Sequence, residues 1–474
     1  MTSTYLLEII KALKPTKRHE LGVFLTSKHL NRGKNADEII KLYQLILDSA
    51  PDFSSESLTK EKLCFQIFST SKAPSGRWEK ILTDLNRLLR IFALTQQYFS
   101  EHNEDQQQLD WAKWLRTNGL AEHAQKTLLK LKTKRDRENP ESLERYHFDL
   151  LLAEEAHEWE SVQNQFKGDL KIPALIYSLD QFHYNYRTEL INRYLLQQKG
   201  TQLPDLEIEA VWLDFYHDKS ILLRISKKIY HVLKKDFPTV GEFQELIELL
   251  QANENTLAFQ TRSQFYAFLR SACTLLINSG HLDFYPILHK MHKDNLERGY
   301  FFINGAIPPN VYLNLVVVAH RVEDIGWAKN FTEQYRNKVL GDDERQFFYR
   351  LNMTNCLFAE GKFDEALNYI PEAPSNSHYH HKVRRLEIKI YYEQHSDLLL
   401  YKIDAFRKFI VRTATKTISA NLRKMDLNFL NILIQLTQTA RKDKARSARM
   451  ITRIEGKKLL ADRPWLLEKA RELG

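Results

Sequence analysis

Two Glu-x-x-His pairs, Glu144/His147 and Glu154/His157, have the spacing of metal ligands. Di-iron carboxylate proteins take one such pair from each of two facing helices, with two further glutamates. Here both pairs fall on one helical stretch, Glu141 to Gln163, ten residues apart. At helical rise that is about 15 Å, too far for one dinuclear centre. A polar helix face is expected instead. His378-Tyr-His-His381 could hold zinc or nickel. No carboxylate or cysteine stands beside it, so an exposed loop cluster without a metal is expected. Cys64, Cys273 and Cys356 are odd in number and far apart, with no C-x-x-C. That argues for a reducing compartment and against a disulfide framework or a structural zinc site. G-x-S-x-G, Walker A, H-E-x-x-H and G-x-G-x-x-G are all absent from the sequence. No catalytic, cofactor-binding or metal-binding residue is therefore assigned, and a non-enzymatic protein is expected. A helical enzyme with a site built from dispersed residues is the alternative of that class.

Charge is distributed unevenly. Residues 401–474 hold 18 Lys and Arg against 7 Asp and Glu, whereas the whole chain has a net charge of +9. All of the basic excess thus lies beyond residue 400. If Arg441 to Lys458 is helical, then Lys442, Arg446, Arg449, Arg453 and Lys457 form one stripe, spaced four, three, four and four, with Ile451 and Ile454 free to pack elsewhere. The solvated outer face of a terminal helix accounts for such a stripe. The functional alternative is an acidic partner: a protein, a nucleic acid or anionic lipid. A second basic set, Arg77, Lys80, Asn86, Arg87 and Arg90, follows the loop Ser69 to Gly76. That loop is longer than a helix-turn-helix allows, which weakens a DNA-reading interpretation.

The elements that position these residues are helices. Glycine (15) and proline (13) are both sparse for 474 residues, well under the usual roughly 7% and 5%. No run of about 18 apolar residues marks a membrane span. The start of the chain lacks the basic lead-in and apolar run of a signal peptide, so the cytoplasm is the expected location. Residues 1–103 are expected to form a separate helical domain. Its helices begin near Tyr5, Lys17, Asn35 (an N-cap) and Thr59 (another cap), and the fifth carries the stripe Trp78, Leu82, Leu85, Leu89 and Phe92. Lys132 to Pro140 is expected to be a connector. Further helices are expected over Leu175 to Gln198, Ile208 to Lys234, Lys382 to Gln394, Leu398 to Arg412, Asp426 to Ala440 and Arg441 to Leu460.

One pattern recurs. Asp342 to Ile370 is expected to be two antiparallel helices with Gly361 at the corner, Phe363 as apolar bulk and Ala366 at the close approach. The first helix places Phe347, Leu351, Thr354 and Phe358 on one face. Gly119 with Ala124 repeats the pattern without the aromatic residue. Ile325 and Ala328 repeat it with Glu323 in place of the glycine, and Gly280 repeats it with Tyr285 in place of the alanine. The steps from position 285 to 328 and from 328 to 366 are both longer than the repeat of about 34 in a tetratricopeptide (TPR) protein. On these residues, together with the run Arg385 to Glu393 and the ending Trp465-Leu-Leu-Glu-Lys, the chain resembles bacterial TPR-containing helical repeat proteins. The resemblance implies an all-α fold: an N-terminal helical domain, then a TPR-like α-solenoid of antiparallel helix pairs over residues 104–474, with a basic helical cap from about 415. It also implies a protein–protein interaction scaffold that docks a protein or peptide partner and uses no cofactor. The alternative is a nucleic-acid- or polyanion-associated protein acting through the basic C-terminal helix.

Overall fold

The computed structural model describes residues 4–53, 58–70, 76–100, 103–137, 140–164, 168–200, 204, 220–235, 238–278, 280–341, 344–372, 379–413, 420–438 and 443–474. Among these residues the chain forms 22 α-helices and no strand. Extended pairing is confined there to isolated bridges, Glu141 with Leu257, Ile303 with Ala306 and Ile307 with Val339. Two compact units are present, Met1–Asn139 with Leu143–His183, and Pro140–Ser142 with Tyr184–Gly474. No helix among the described residues is long and apolar enough to cross a membrane.

The first unit begins with α1 (Thr4–Ala12), α2 (Pro15–Leu25), α3 (Ala36–Asp48), α4 (Lys60–Phe68) and α5 (Arg77–Tyr98). They enclose one apolar cluster running from Leu6 to Phe92. Trp78, Leu85, Leu89 and Phe92 are buried there, and Leu82 packs at its edge. Thr59 caps α4 by accepting from the Lys62 amide at 3.4 Å. Asn35 stands at the N-cap of α3, but its side chain makes no cap bond; Asp37 and Glu38 instead place negative charge in the first turn. Next come α6 (Glu104–Thr117), α7 (Ala121–Arg137) and α8 (Leu143–Gln163). The expected connector from Lys132 is in fact helical as far as Arg137. Lys134 reaches Asp105 (2.7 Å) and Arg135 reaches Asp149 (3.4 Å), fastening the last turn of α7 to its neighbours. α9 (Ile172–Gly200) starts in this unit.

The second unit continues with α10 (Ile221–Lys234), α11 (Val240–Ala252), α12 (Phe259–Asn278), α13 (Tyr285–Glu297), α14 (Pro309–Arg321), α15 (Ile325–Tyr335), α16 (Arg345–Ala359), α17 (Phe363–Tyr369), α18 (Tyr379–Glu393), α19 (Leu399–Arg412), α20 (Ala420–Thr437), α21 (Lys444–Glu455) and α22 (Arg463–Glu472). Part of the helix expected from Ile208, residues 208–219, lies outside the described residues. The helix expected over Arg441 to Leu460 is shorter than that: Asp443 caps it at Arg446 (2.9 Å), and it ends at Gly456. Each helix from α12 to α19 packs on the next, α20 packs on α22, and α14 also touches α16, as α16 does α18. The Asn352 side chain of α16, fully buried, donates to the Tyr312 carbonyl of α14 at 2.9 Å.

The corners between these helices share one backbone motif. The Gly361 amide donates to Phe358 O (3.1 Å) and the Lys362 amide to Leu357 O (2.9 Å). That pair of bonds is the Schellman motif, which satisfies two orphan carbonyls and needs a left-handed residue at its centre. The same two bonds recur around Gly119, Gly280, Gly299, Glu323 and His395, and φ is positive at all six positions. Glu323 therefore takes a glycine's conformation without being one. Gly299 carries the motif at the end of α13, before the longer connection to α14; the short corners from Gly280 onward fall at Glu323, Gly361 and His395, each step shorter than the one before. After the corner, Ala328 in α15 and Ala366 in α17 are fully buried, and Ala124 is buried in α7. Phe363 is half-buried with its ring 5.7 Å from Phe358.

Candidate functional site

The densest set of charges lies along α18. This helix buries Val383, Leu386 and Ile390 in one apolar cluster and Ile388 in another. Packed on two sides, it must find partners inside the protein for its polar residues. Arg385 pairs with Asp426 of α20 and, at 2.9 Å, with Asp462, just before α22. Lys389 holds the other Asp462 oxygen at 2.9 Å, and His381 Nδ1 lies 2.5 Å from Asp426. Glu387 accepts from Lys402 of α19 (2.7 Å) and Arg384 (3.0 Å). Glu393 accepts from the Trp465 indole (2.9 Å) and pairs with Lys469 (3.0 Å), both in α22. One helix thus ties down α19, α20 and α22.

Asp462 is the focus of this network. Its backbone is left-handed, φ +49. Burial alone would push its carboxyl up; Lys389 and Arg385, helped by Arg321, outweigh that and hold it well below the ordinary carboxylate range. Burial and the nearby Arg385 charge push the Lys382 ammonium down, with Asp462 opposing them. Arg321, Lys382, Arg385 and Lys389 outnumber Asp426 and Asp462. The arrangement is suited to clamping helices and to receiving negative charge. His381 with Asp426 has the makings of a general acid–base pair. Both residues are fully buried, however, and the His381 ring packs on Phe406 (5.7 Å) and Phe409 (5.4 Å), so no substrate reaches them.

The metal-like residues Glu144, His147, Glu154 and His157 lie along one helix, α8, with Glu144, His147 and Glu154 exposed. The His147 ring contacts Phe182 (5.0 Å), and His157 Nδ1 lies 2.7 Å from the Leu170 carbonyl. The expected exposed histidine loop is corrected in part. His380 and His381 open α18, His380 is half-buried, and a carboxylate, Asp426 of α20, does stand beside His381; His378 is outside the described residues. No group of three potential ligands that could hold a metal occurs among the described residues. Cys64, Cys273 and Cys356 are unpaired and buried, and burial pushes the Cys273 and Cys356 thiols up to about 12.

The basic stripe is only partly one surface. Arg446, Arg449 and Arg453 are exposed on α21, and no described carboxylate pairs with any of them. Lys457 lies beyond the helix, its ammonium 3.5 Å from Asn428 Oδ1 of α20, and Lys442 falls outside the described residues. Ile454 is buried and Ile451 packs against the same apolar cluster. Sequence reading missed the Asp426 and Asp462 clamps. Asp426 had a legible signal: it stands at a core position of α20, in register with Phe429, Leu430 and Leu433, where an acid demands a buried partner. Asp462 had none, because its partners Arg385 and Lys389 are remote in sequence, on α18. Compared with protein-family models, curated proteins and solved structures, the chain matches none of them.

Proposed function

We propose that the chain is a non-enzymatic, cytoplasmic scaffold whose second unit is a TPR-like α-solenoid that docks a protein or peptide segment. The observation that carries this reading is the recurrence of one motif at the short corners between helices, at Gly280, Glu323, Gly361 and His395. The steps between these corners shorten along the chain, and the last equals the TPR repeat of about 34 residues. A stack of helix pairs built on such corners has the first helices of successive pairs side by side, here α14, α16 and α18. Such a row is an extended surface for a partner segment. The test is affinity capture from native extract with cross-linking. The reading expects a stoichiometric partner whose cross-links fall on α14, α16 and α18. Cross-links confined to the Leu6–Phe92 bundle, or a turnover activity in the purified protein, would count against it.

A second reading, association with nucleic acid or another polyanion, is favoured by one observation: Arg446, Arg449 and Arg453 present three charges on one face with no described carboxylate to neutralise them.

A further inference from the structure

The hairpin of α6 and α7 uses its large apolar residues unevenly. Leu109 and Ala112 of α6 meet Leu128 and Leu131 of α7 in one apolar cluster. α8 closes over one flank, through Arg116–Glu155 (2.6 Å), Arg135–Asp149 (3.4 Å) and the Trp159 indole on the Ala121 carbonyl (2.8 Å). Trp111 and Trp114 are not part of that core. Each is 49% exposed, and they stack on one another with ring centroids 5.0 Å apart and planes within 7°. Left in water, two indoles forgo much of the burial that makes tryptophan stabilising. A parallel pair also ends in an open π-face that a further flat ring can extend.

Two cations with no described counter-charge stand on the neighbouring helix α7. The Asp105–Lys134 bridge fixes the antiparallel register, so the two indoles are level with residues 125–128 of α7. Lys126 and Lys130, four residues apart, flank that level on the side of α7 turned from α8. Both are exposed, and no described carboxylate pairs with either. A shallow groove lined by Leu129, Lys130, Thr133, Lys134 and Arg137 continues along α7. Stacked aromatic faces beside unneutralised cations match the chemistry of unpaired bases on a phosphate backbone. An acidic peptide offers the charge but no flat rings, and a duplex hides its base faces.

We infer that Trp111 and Trp114 form a stacking platform for the bases of single-stranded nucleic acid, with Lys126 and Lys130 taking the adjacent phosphates. This goes beyond the docking of a protein segment, which would use other helices.

The test is fluorescence anisotropy of labelled oligo(dT) and oligo(U) with the full-length chain over a salt series, beside a duplex of equal length and a poly-glutamate peptide. The parent should bind the single strands with quenching of indole emission. Trp111→Ala/Trp114→Ala should weaken binding about ten-fold or more, and Trp111→Phe/Trp114→Phe should keep most of it. Lys126→Gln/Lys130→Gln should flatten the slope of log affinity against log salt by about 1. All four positions are exposed, and circular dichroism checks folding; if the alanine variant unfolds, the Phe and Gln variants and the quenching decide. A parent that binds neither oligonucleotide overturns the inference, as does affinity that the Trp changes leave untouched. Equal affinity for the duplex or for poly-glutamate does the same. Self-association lost in the alanine variant while oligonucleotide affinity is unchanged would instead assign the face to a second copy of the chain.

Discussion

At the residue scale, Ala366 shows what the short helix α17 depends on. Ala366 is the one fully buried side chain of that helix, facing α16. Replacing it with tryptophan forces the helices apart or the ring out of its rotamer, and should cost about 1–3 kcal/mol or more. A urea midpoint equal to the parent's would show that this approach is not close. The spacing from Gly361 to Ala366 made this position legible from sequence alone. The neighbouring aromatics were less so. Phe347 and Phe348 are adjacent and differ by about 100° around the helix. Sequence spacing favoured Phe347 for the buried face, but the structure buries Phe348 fully and leaves Phe347 at the edge of the cluster. Tyr379 touches both rings, 4.9 Å from Phe348 and 6.0 Å from Phe347, and these contacts join separate helices, α16 and α18, which spacing within one helix cannot show.

At the element scale, the corners are where local sequence and structure agree most closely, and Glu323 is the informative exception. The sequence shows a missing glycine there; the structure shows that the left-handed turn is kept all the same, at φ +61. An ordinary residue pays about 1–2 kcal/mol to be left-handed, while glycine costs more chain entropy to fix. Glu323→Gly should therefore stabilise the protein by up to about 1 kcal/mol. Gly361→Ala should destabilise it by about 1 kcal/mol, because a Cβ there meets nothing within 4 Å and only the backbone strain counts. Opposite signs in parallel denaturation curves are the expected result; equal signs would mean the two corners are not equivalent. Helix α21 allows a second test at this scale. Arg446→Gln, Arg449→Gln and Arg453→Gln together remove three charges while keeping length and helix propensity. Thermal stability should change little, since none of the three has a described ion-pair partner. Heparin binding, if the stripe serves a polyanion, should weaken and lose much of its salt dependence. Heparin affinity equal to the parent's would leave the stripe as a solvated helix face.

At the scale of the whole molecule, helix content and helix order could be read from periodicity and from the scarcity of glycine and proline, because both are local properties. The polar clamp could not be read in full, because Arg385 and Lys389 close on Asp462 from a distant part of the sequence and through a left-handed backbone that no local pattern announces. That clamp makes a prediction about how stability is distributed. On the helical-repeat reading, each helix pair is stabilised mainly by its neighbours, so damage at one end should stay near that end. Asp462→Ala leaves Arg385 and Lys389, both largely buried, short of a counter-charge, and removes the anchor before α22. The loss should be about 3 kcal/mol, the cost of orphaning one side of a buried ion pair. Asp426, still paired with Arg385 and His381, should limit it. Hydrogen exchange should then rise in α18, α20 and α22, whose apolar cluster holds Phe429, Leu433, Trp465 and Leu466. Exchange around the Leu6–Phe92 cluster of the first unit should stay as in the parent. If protection falls equally in both places, the chain unfolds as one cooperative body and the neighbour-by-neighbour description fails. If it falls in neither, the Asp462 pairs with Arg385 and Lys389 add little, and α22 is held by its apolar contacts alone.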